Sequence, residues 1–271
     1  MSRKSPFIES IRRTMRLRGY SIRTEKSYLY WIRFYIRFHN HRHPKEMDKN
    51  EIIQFLDFLA SDRNVTANTQ RIALNALMFL YSKILEQPVS NMGFKLASKP
   101  RRLPTVLSVS EAMSIISKLE GAHQLVVKMM YGSGLRVSEA LSLRVQDIDF
   151  EQNSVTIRAG KGNKDRVTLL SLRVKDSLRA QLNRAIEIQQ MDNLSGVGPS
   201  IPDALGRKYP SAFRQAGWMF IFPSFSLCKH PINKQLCRHH LHASVVRKAI
   251  KRARETANIH KEPLTKYKRP L

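Results

Sequence analysis

The chain has 271 residues, 42% hydrophobic and 25% charged, a balance typical of globular proteins and a length sufficient for one large domain or two small ones. Lys and Arg number 47 against 21 Asp and Glu, a formal net charge of +26 that repels itself unless a polyanion is the usual partner. That balance, with no apolar run near the about 20 residues of a membrane helix, no signal-peptide h-region before Ser10 and only two cysteines (Cys228 and Cys237), excludes a membrane-spanning or disulfide-stapled secreted protein and suits a reducing cytoplasm.

Residues 1–88 read as a small all-helical bundle of four short helices with a basic outside. Thr24 is placed as the cap of a helix running to about His39, with Tyr28, Trp31, Ile32, Tyr35 and Phe38 as its apolar stripe. Asp48 and Glu51 form a capping box ahead of Ile52, Phe55, Leu56 and Leu59. A further helix, about Ala67 to Leu85, directs Leu74, Leu77, Met78 and Tyr81 inward. Residues 89–106 read as a basic linker, its prolines barring a helix and its charges, Arg101 and Arg102 among them, able to follow a phosphate backbone.

Residues 107–271 form the second region. Ser108 and Glu111 make another capping box before Ile115, Ile116 and Leu119, and a helix follows from His123 to Tyr131. Gly132-Ser133-Gly134 is read as a turn and Arg136 to Ser142 as a short helix. Three strand-like runs come next, at Arg144 to Asp149, Ser154 to Ala159 and Arg166 to Leu170, the last two joined by the hairpin tip Gly160-Lys-Gly-Asn-Lys164. Val174 to Gln190 is helical and 192–217 loop-rich. A very basic helix at 241–257 carries Val245, Val246, Ala249 and Ile250 on one side.

Nucleic acid is the leading partner for such a chain, because each Lys or Arg that meets a phosphate releases a condensed counterion. A membrane surface is a weaker candidate without a basic amphipathic helix that has a clean apolar face, and a merely solvated basic surface is the bland alternative. Arg136 lies where a Gly-Leu-Arg loop enters a helix, so its guanidinium and the free backbone N–H groups can share one phosphate. Lys161, on a glycine-flanked hairpin tip, is a mobile cation for the same purpose. Each has a plainer reading: Arg136 as an ion-pair partner of Glu139, and Lys161 as a solvated turn residue.

The string Tyr131-Gly-Ser-Gly-Leu-Arg-Val-Ser-Glu-Ala140 resembles the first arginine box of tyrosine recombinases. Leu143-Arg-Val-Gln-Asp-Ile-Asp149 and Gly160-Lys-Gly-Asn-Lys-Asp-Arg166 follow in family order and spacing. Thr24, Tyr28 and the helix starting near Thr69 look like the family's core-binding domain. Ala204-Leu-Gly-Arg-Lys-Tyr-Pro-Ser-Ala212, Trp218 and Phe222-Pro-Ser224 are similar to the extra segment of integron integrases, placed at about 192–225. The resemblance spans about residues 5 to 260.

It implies a mainly α fold with a small β-sheet: an all-α, SAM-like N-terminal domain and an α+β catalytic domain incomplete at its C-terminus. The implied activity is site-specific DNA recombination and DNA integration through a 3′-phosphotyrosine, with no cofactor and no metal. Arg136 would bind the scissile phosphate and Lys161 would protonate the leaving 5′-oxygen. Lys26, Arg33, Arg71, Arg101, Arg102, Lys164 and Arg166 are the candidate phosphate contacts, on duplex DNA at integron-type recombination sites.

The family continues with His-x-x-Arg and a tyrosine. Among the nine histidines only His39 precedes an arginine, Arg42, at that spacing, and it lies before Arg136. Tyr267, between Pro263 and Pro270, lacks a helix to position it for attack. The expectation is therefore a truncated chain that binds DNA without cutting it, with homo-oligomer assembly on DNA impaired. Apolar faces around Leu125 to Met130 and Leu178 to Ile186 are expected to lack cover. An active recombinase, if the chain is part of a longer product, and a non-catalytic DNA-binding regulator are the alternatives. Cys228, His230, Cys237, His239, His240 and His242 suggest a metal cluster, but eight residues between the cysteines suit zinc poorly, and a DNA-contacting role for the histidines is preferred.

Overall fold

The computed structural model describes residues 5–87, 89, 105–158 and 165–261. The chain divides into two compact units, Met1–Arg102 and Leu103–Leu271.

In the first unit, α1 (Pro6–Leu17) starts on a proline and buries Ile8, Ile11 and Met15 at helical spacing. The second helix, α2 (Ile22–Phe38), begins earlier than the sequence suggests. Its cap is Ser21, whose hydroxyl accepts from the Thr24 backbone N–H at 3.1 Å, so Thr24 sits inside the first turn. Helix α3 (Lys49–Ser61) has the Asp48/Glu51 capping box and buries Ile52, Phe55, Leu56 and Leu59 as anticipated.

Thr66 caps α4 (Ala67–Phe79), and a wider turn at Leu80–Ile84 extends it. Leu74 and Met78 are only half-buried. The inward face is Ala73, Ala76, Leu77, Phe79, Leu80 and Tyr81, because small alanines let α4 lie close against α2. Between them, the Tyr35 and Tyr81 hydroxyls are 2.9 Å apart and Tyr81 donates to the Met47 carbonyl at 3.2 Å. These bonds satisfy polar groups that would otherwise be stranded in the core.

In the second unit, α5 (Val109–Ser117) has the Ser108/Glu111 box and α6 (Gly121–Ser133) follows. Gly132 and Ser133 belong to the last turn of α6. Only Gly134 leaves it, at φ 67°, the left-handed geometry that suits glycine. Arg136 then opens α7 (Val137–Ser142). The run Arg144 to Asp149 is mostly not a strand. Asp147 accepts from the Arg144 backbone N–H at 2.9 Å and closes a 3₁₀ turn over Val145–Asp147, which leaves β1 as Ile148–Asp149.

Strands β2 (Ser154–Ile157) and β3 (Arg166–Leu169) complete an antiparallel sheet in the order β1-β2-β3, with Ile157 opposite Arg166. Beyond α8 (Lys175–Leu194) and the short α9 (Asp203–Lys208), an unanticipated hairpin pairs β4 (Pro223–Lys229) with β5 (Leu236–His240). The last helix is α10 (Ala243–Thr256). It buries Val246 and Ala253 and half-buries Ala249 and Ile250, whereas Val245 is exposed.

One core joins these elements. Leu125 to Met130 of α6 and Leu178 and Leu182 of α8 share it with Ile221, Phe222, Leu241, Val246 and Ala253. The expectation that those two faces lack cover is thus overturned. The segment leading into β4 and the buried side of α10 supply it.

Candidate DNA-binding and catalytic site

The site grows from the α6–α7 junction. Gly134 ends one helix, buried Leu135 anchors the connection, and Arg136 stands in extended conformation at the cap of α7. Three residues on, Glu139 points back. Its carboxylate accepts from the Arg136 backbone N–H at 2.8 Å and from the Arg136 guanidinium at 2.6 Å. The same carboxylate takes two bonds from Arg166, 3.0 Å from Nη1 and 2.7 Å from Nη2.

Glu139 is therefore a shared anchor that ties the start of α7 to Arg166 at the first position of β3, the end of the β2–β3 pair farthest from its Ser154–Leu169 base. Its side chain is 7% exposed, against 48% for Arg136 and 38% for Arg166. Burial pushes the carboxyl pKa up, but the bonds from Arg166 and Arg136 outweigh it and hold the value down at about 2. The two guanidiniums keep an open side toward solvent, where a phosphate could be bound.

Of the other residues singled out in the sequence, Lys26 and Arg33 are exposed on α2. They line a groove of about 620 Å³ together with Tyr30, Arg37, Arg42 and His43. Arg71 is exposed on α4 and lies outside that lining. Lys161, Lys164, Arg101 and Arg102 fall outside the described residues. The structure thus joins Arg136 with Arg166, and Lys26 with Arg33.

Sequence reasoning missed Arg144. Its guanidinium donates to the Trp218 and Ser200 carbonyls and lies 4.1 Å above the Phe220 ring and 5.4 Å from that of Trp218. Burial lowers its pKa to about 10. The family-like segment Leu143 to Asp149 hinted at this residue, but the carbonyls that hold it lie more than fifty positions away and leave no local signal.

Around Arg144, Ser200 Oγ bonds His239 Nδ1 at 2.8 Å, and the His239 and His240 rings sit 4.1 Å apart. These residues line a cavity of about 330 Å³ with Glu139, Arg158, Trp218 and His230. Lost hydration first, then positive charge from His240, Arg144, His230 and His242, brings His239 down to about 4. Among the described residues no three His, Cys, Asp or Glu side chains are grouped to hold a metal ion. No helix among them is long and apolar enough to cross a membrane.

Residues 7–91 match the phage integrase N-terminal SAM-like domain, and residues 105–268 match the phage integrase family. The chain belongs to the phage integrase family. The second match runs on to residue 268, past residue 260, where the resemblance was expected to fade.

An integrase/recombinase of Escherichia coli is 40% identical over 256 residues, covering 94% of this chain and 76% of that protein. Tyrosine recombinase XerA of Thermococcus kodakarensis is 27% identical over 185 residues, 67% of this chain and 63% of its own length. Among solved structures, a lambda integrase dimer bound to a core site superposes with a TM-score of 0.60 at 15% identity, over 96% of this chain and 81% of that one. This family member is accordingly a tyrosine recombinase of the site-specific DNA recombination class. Its fold is mainly helical with small antiparallel sheets.

Proposed function

We propose that this chain is a recombination protein of the integron integrase type, that it binds duplex DNA at an integron-type recombination site, and that the 271-residue polypeptide on its own does not cut that DNA. The observation that carries the DNA reading is the pair of half-exposed guanidiniums, Arg136 and Arg166, held side by side on one buried carboxylate. In this reading Arg136 grips the scissile phosphate and offsets the charge that builds on its oxygens. Lys161 lies in the segment between Arg158 and Asp165 and reaches the leaving 5′-oxygen as proton donor.

Lys26, Arg33 and Arg71 on the first unit, and Arg101, Arg102 and Lys164, make further phosphate contacts. The integron assignment is supported by the stretch Ala204 to Ser224, whose Trp218 and Phe220 pack on Arg144 beside the candidate site. The non-cutting assignment is supported by the sequence, which carries no His-x-x-Arg after Arg136.

A suicide substrate that traps the 3′-phosphotyrosyl adduct tests the second half of this proposal. The expected result is a shifted complex in a native gel and no covalent adduct after denaturation. An adduct that maps to Tyr267 would overturn it. Equal affinity for site and random duplex would overturn the site-specific part.

A further inference from the structure

The chain holds only two cysteines, and the fold sets them directly opposite each other. Cys228 of β4 and Cys237 of β5 are register partners across the antiparallel hairpin. Side chains directly opposite in such a ladder lie on the same face. Arg238 turns its backbone the other way: its N–H donates to the Gly198 carbonyl and its own carbonyl accepts from Ser200, each at 2.8 Å. The backbone groups of Cys237 therefore point at β4, which makes Cys228 and Cys237 a hydrogen-bonded pair with a Cα separation of about 5.5 Å. That Cα separation lies inside the range a disulfide spans, while the Cβ atoms of a hydrogen-bonded pair sit at the wide end of the cross-strand range, so closure draws the two strands together and leaves the bridge strained.

The Cys237 thiol already leans across and donates to the Cys228 carbonyl at 3.4 Å. Both thiols are free in this structure; Cys228 is exposed, while Cys237 is buried but lines an open cavity of about 590 Å³.

We propose that Cys228 and Cys237 form a reversible intramolecular disulfide, making the β4–β5 hairpin a site of redox modification. Exposed Cys228 is the entry point. Its thiolate attacks a low-molecular-weight disulfide such as oxidised glutathione, expelling one thiol and leaving a mixed disulfide. Cys237, having given up its proton, then attacks the Cys228 sulfur, expels the second thiol and closes the bridge. Two protein thiols are oxidised and one disulfide is reduced to two thiols, so electrons and protons balance.

Burial beside Cys228 pushes the Cys237 thiol up to about 11, which slows the second step, while the proximity of the two sulfurs favours it. A bridge with one exposed sulfur is also the kind that cellular thiols reopen, which suits a switch better than a permanent staple. The hairpin carries His230, His239 and His240, so closing it fixes the strands that present them beside Arg144.

The test treats the folded 271-residue chain with oxidised glutathione, quenches in acid, alkylates the remaining thiols and reads intact mass and bridged peptides. The expected product is a monomer lighter by two hydrogens, with no alkylatable thiol and with Cys228 and Cys237 in one peptide pair. Dithiothreitol restores both thiols. In Cys237→Ser the glutathione adduct on Cys228, transient in the native chain, persists at least tenfold longer. In Cys228→Ser no bridge forms and Cys237 stays alkylatable. A stable adduct on Cys228 of the native chain with Cys237 still free, or a dimer linked through Cys228, would overturn the proposal.

Discussion

Replacing Glu139 with Gln removes one charge while keeping the size and an acceptor oxygen. In the native chain the carboxyl titrates at about 2 rather than 4.5, a shift of about 2.5 units. At about 1.4 kcal/mol per unit this is about 3 kcal/mol of folding stability. The carboxylate is 7% exposed, but its guanidinium partners are 48% and 38% exposed, so solvent screening makes that figure an upper bound. The pKa is depressed in the folded state, so the stabilisation is complete above about pH 4.5 and is lost as pH falls through 4.5 toward 2.

Urea unfolding of native protein and Glu139→Gln, followed by circular dichroism at pH 7 and at steps down to pH 2.5, measures this directly. The expected gap is about 1 to 3 kcal/mol at pH 7, narrowing through the acid range as the native carboxylate becomes protonated. A gap below about 1 kcal/mol at pH 7, or one indifferent to acid, would refute the shared-anchor reasoning.

Three further outcomes follow from other contacts. Tyr81→Phe loses bonds to Tyr35 and Met47 in the core of the first unit and should cost about 1 to 2 kcal/mol in denaturant unfolding. Asp192→Asn leaves the nearly buried Arg238 guanidinium without its bidentate carboxylate and should cost about 3 kcal/mol, with faster amide exchange in the β4–β5 hairpin. Lys26→Gln combined with Arg33→Gln should flatten the slope of log affinity against log salt by about 0.9 for each residue removed. An unchanged slope would remove both residues from the phosphate contacts.

What the sequence revealed follows the range of the interactions involved. Capping boxes at Asp48/Glu51 and Ser108/Glu111 act over three residues, and both helix starts were legible. The place of Arg136 at the start of α7 was legible for the same reason, since glycine, leucine and arginine at a helix entry state their geometry locally. The cap of α2 was misread because Ser21 and Thr24 are both competent, and their hydroxyls end 2.8 Å apart, each making a bond that the sequence allows to either.

Arg144 to Asp149 has strand-like composition. A single Asp147 acceptor redirects its backbone into a tight turn, an outcome that alternation cannot show. The β4–β5 hairpin went unseen because its cysteines and histidines invited a metal reading, and because the other edge of β5 is held at Arg238 by Gly198 and Ser200, residues far outside the hairpin in sequence. Cover for α6 and α8 depends on Ile221 and Phe222, residues far along the chain that periodicity alone cannot dock.

Glu139 receives Arg136 twice, once through the backbone N–H and once through the guanidinium. The two attachments are separable. If the guanidinium swings away to embrace an incoming anion, the backbone bond still holds the first turn of α7 closed, and Arg166 keeps the carboxylate company. Letting go costs the protein no helix. A reach-and-return movement of one arginine can therefore proceed on a stationary scaffold, with the carboxylate, still held by Arg166 and the backbone, ready to receive it again.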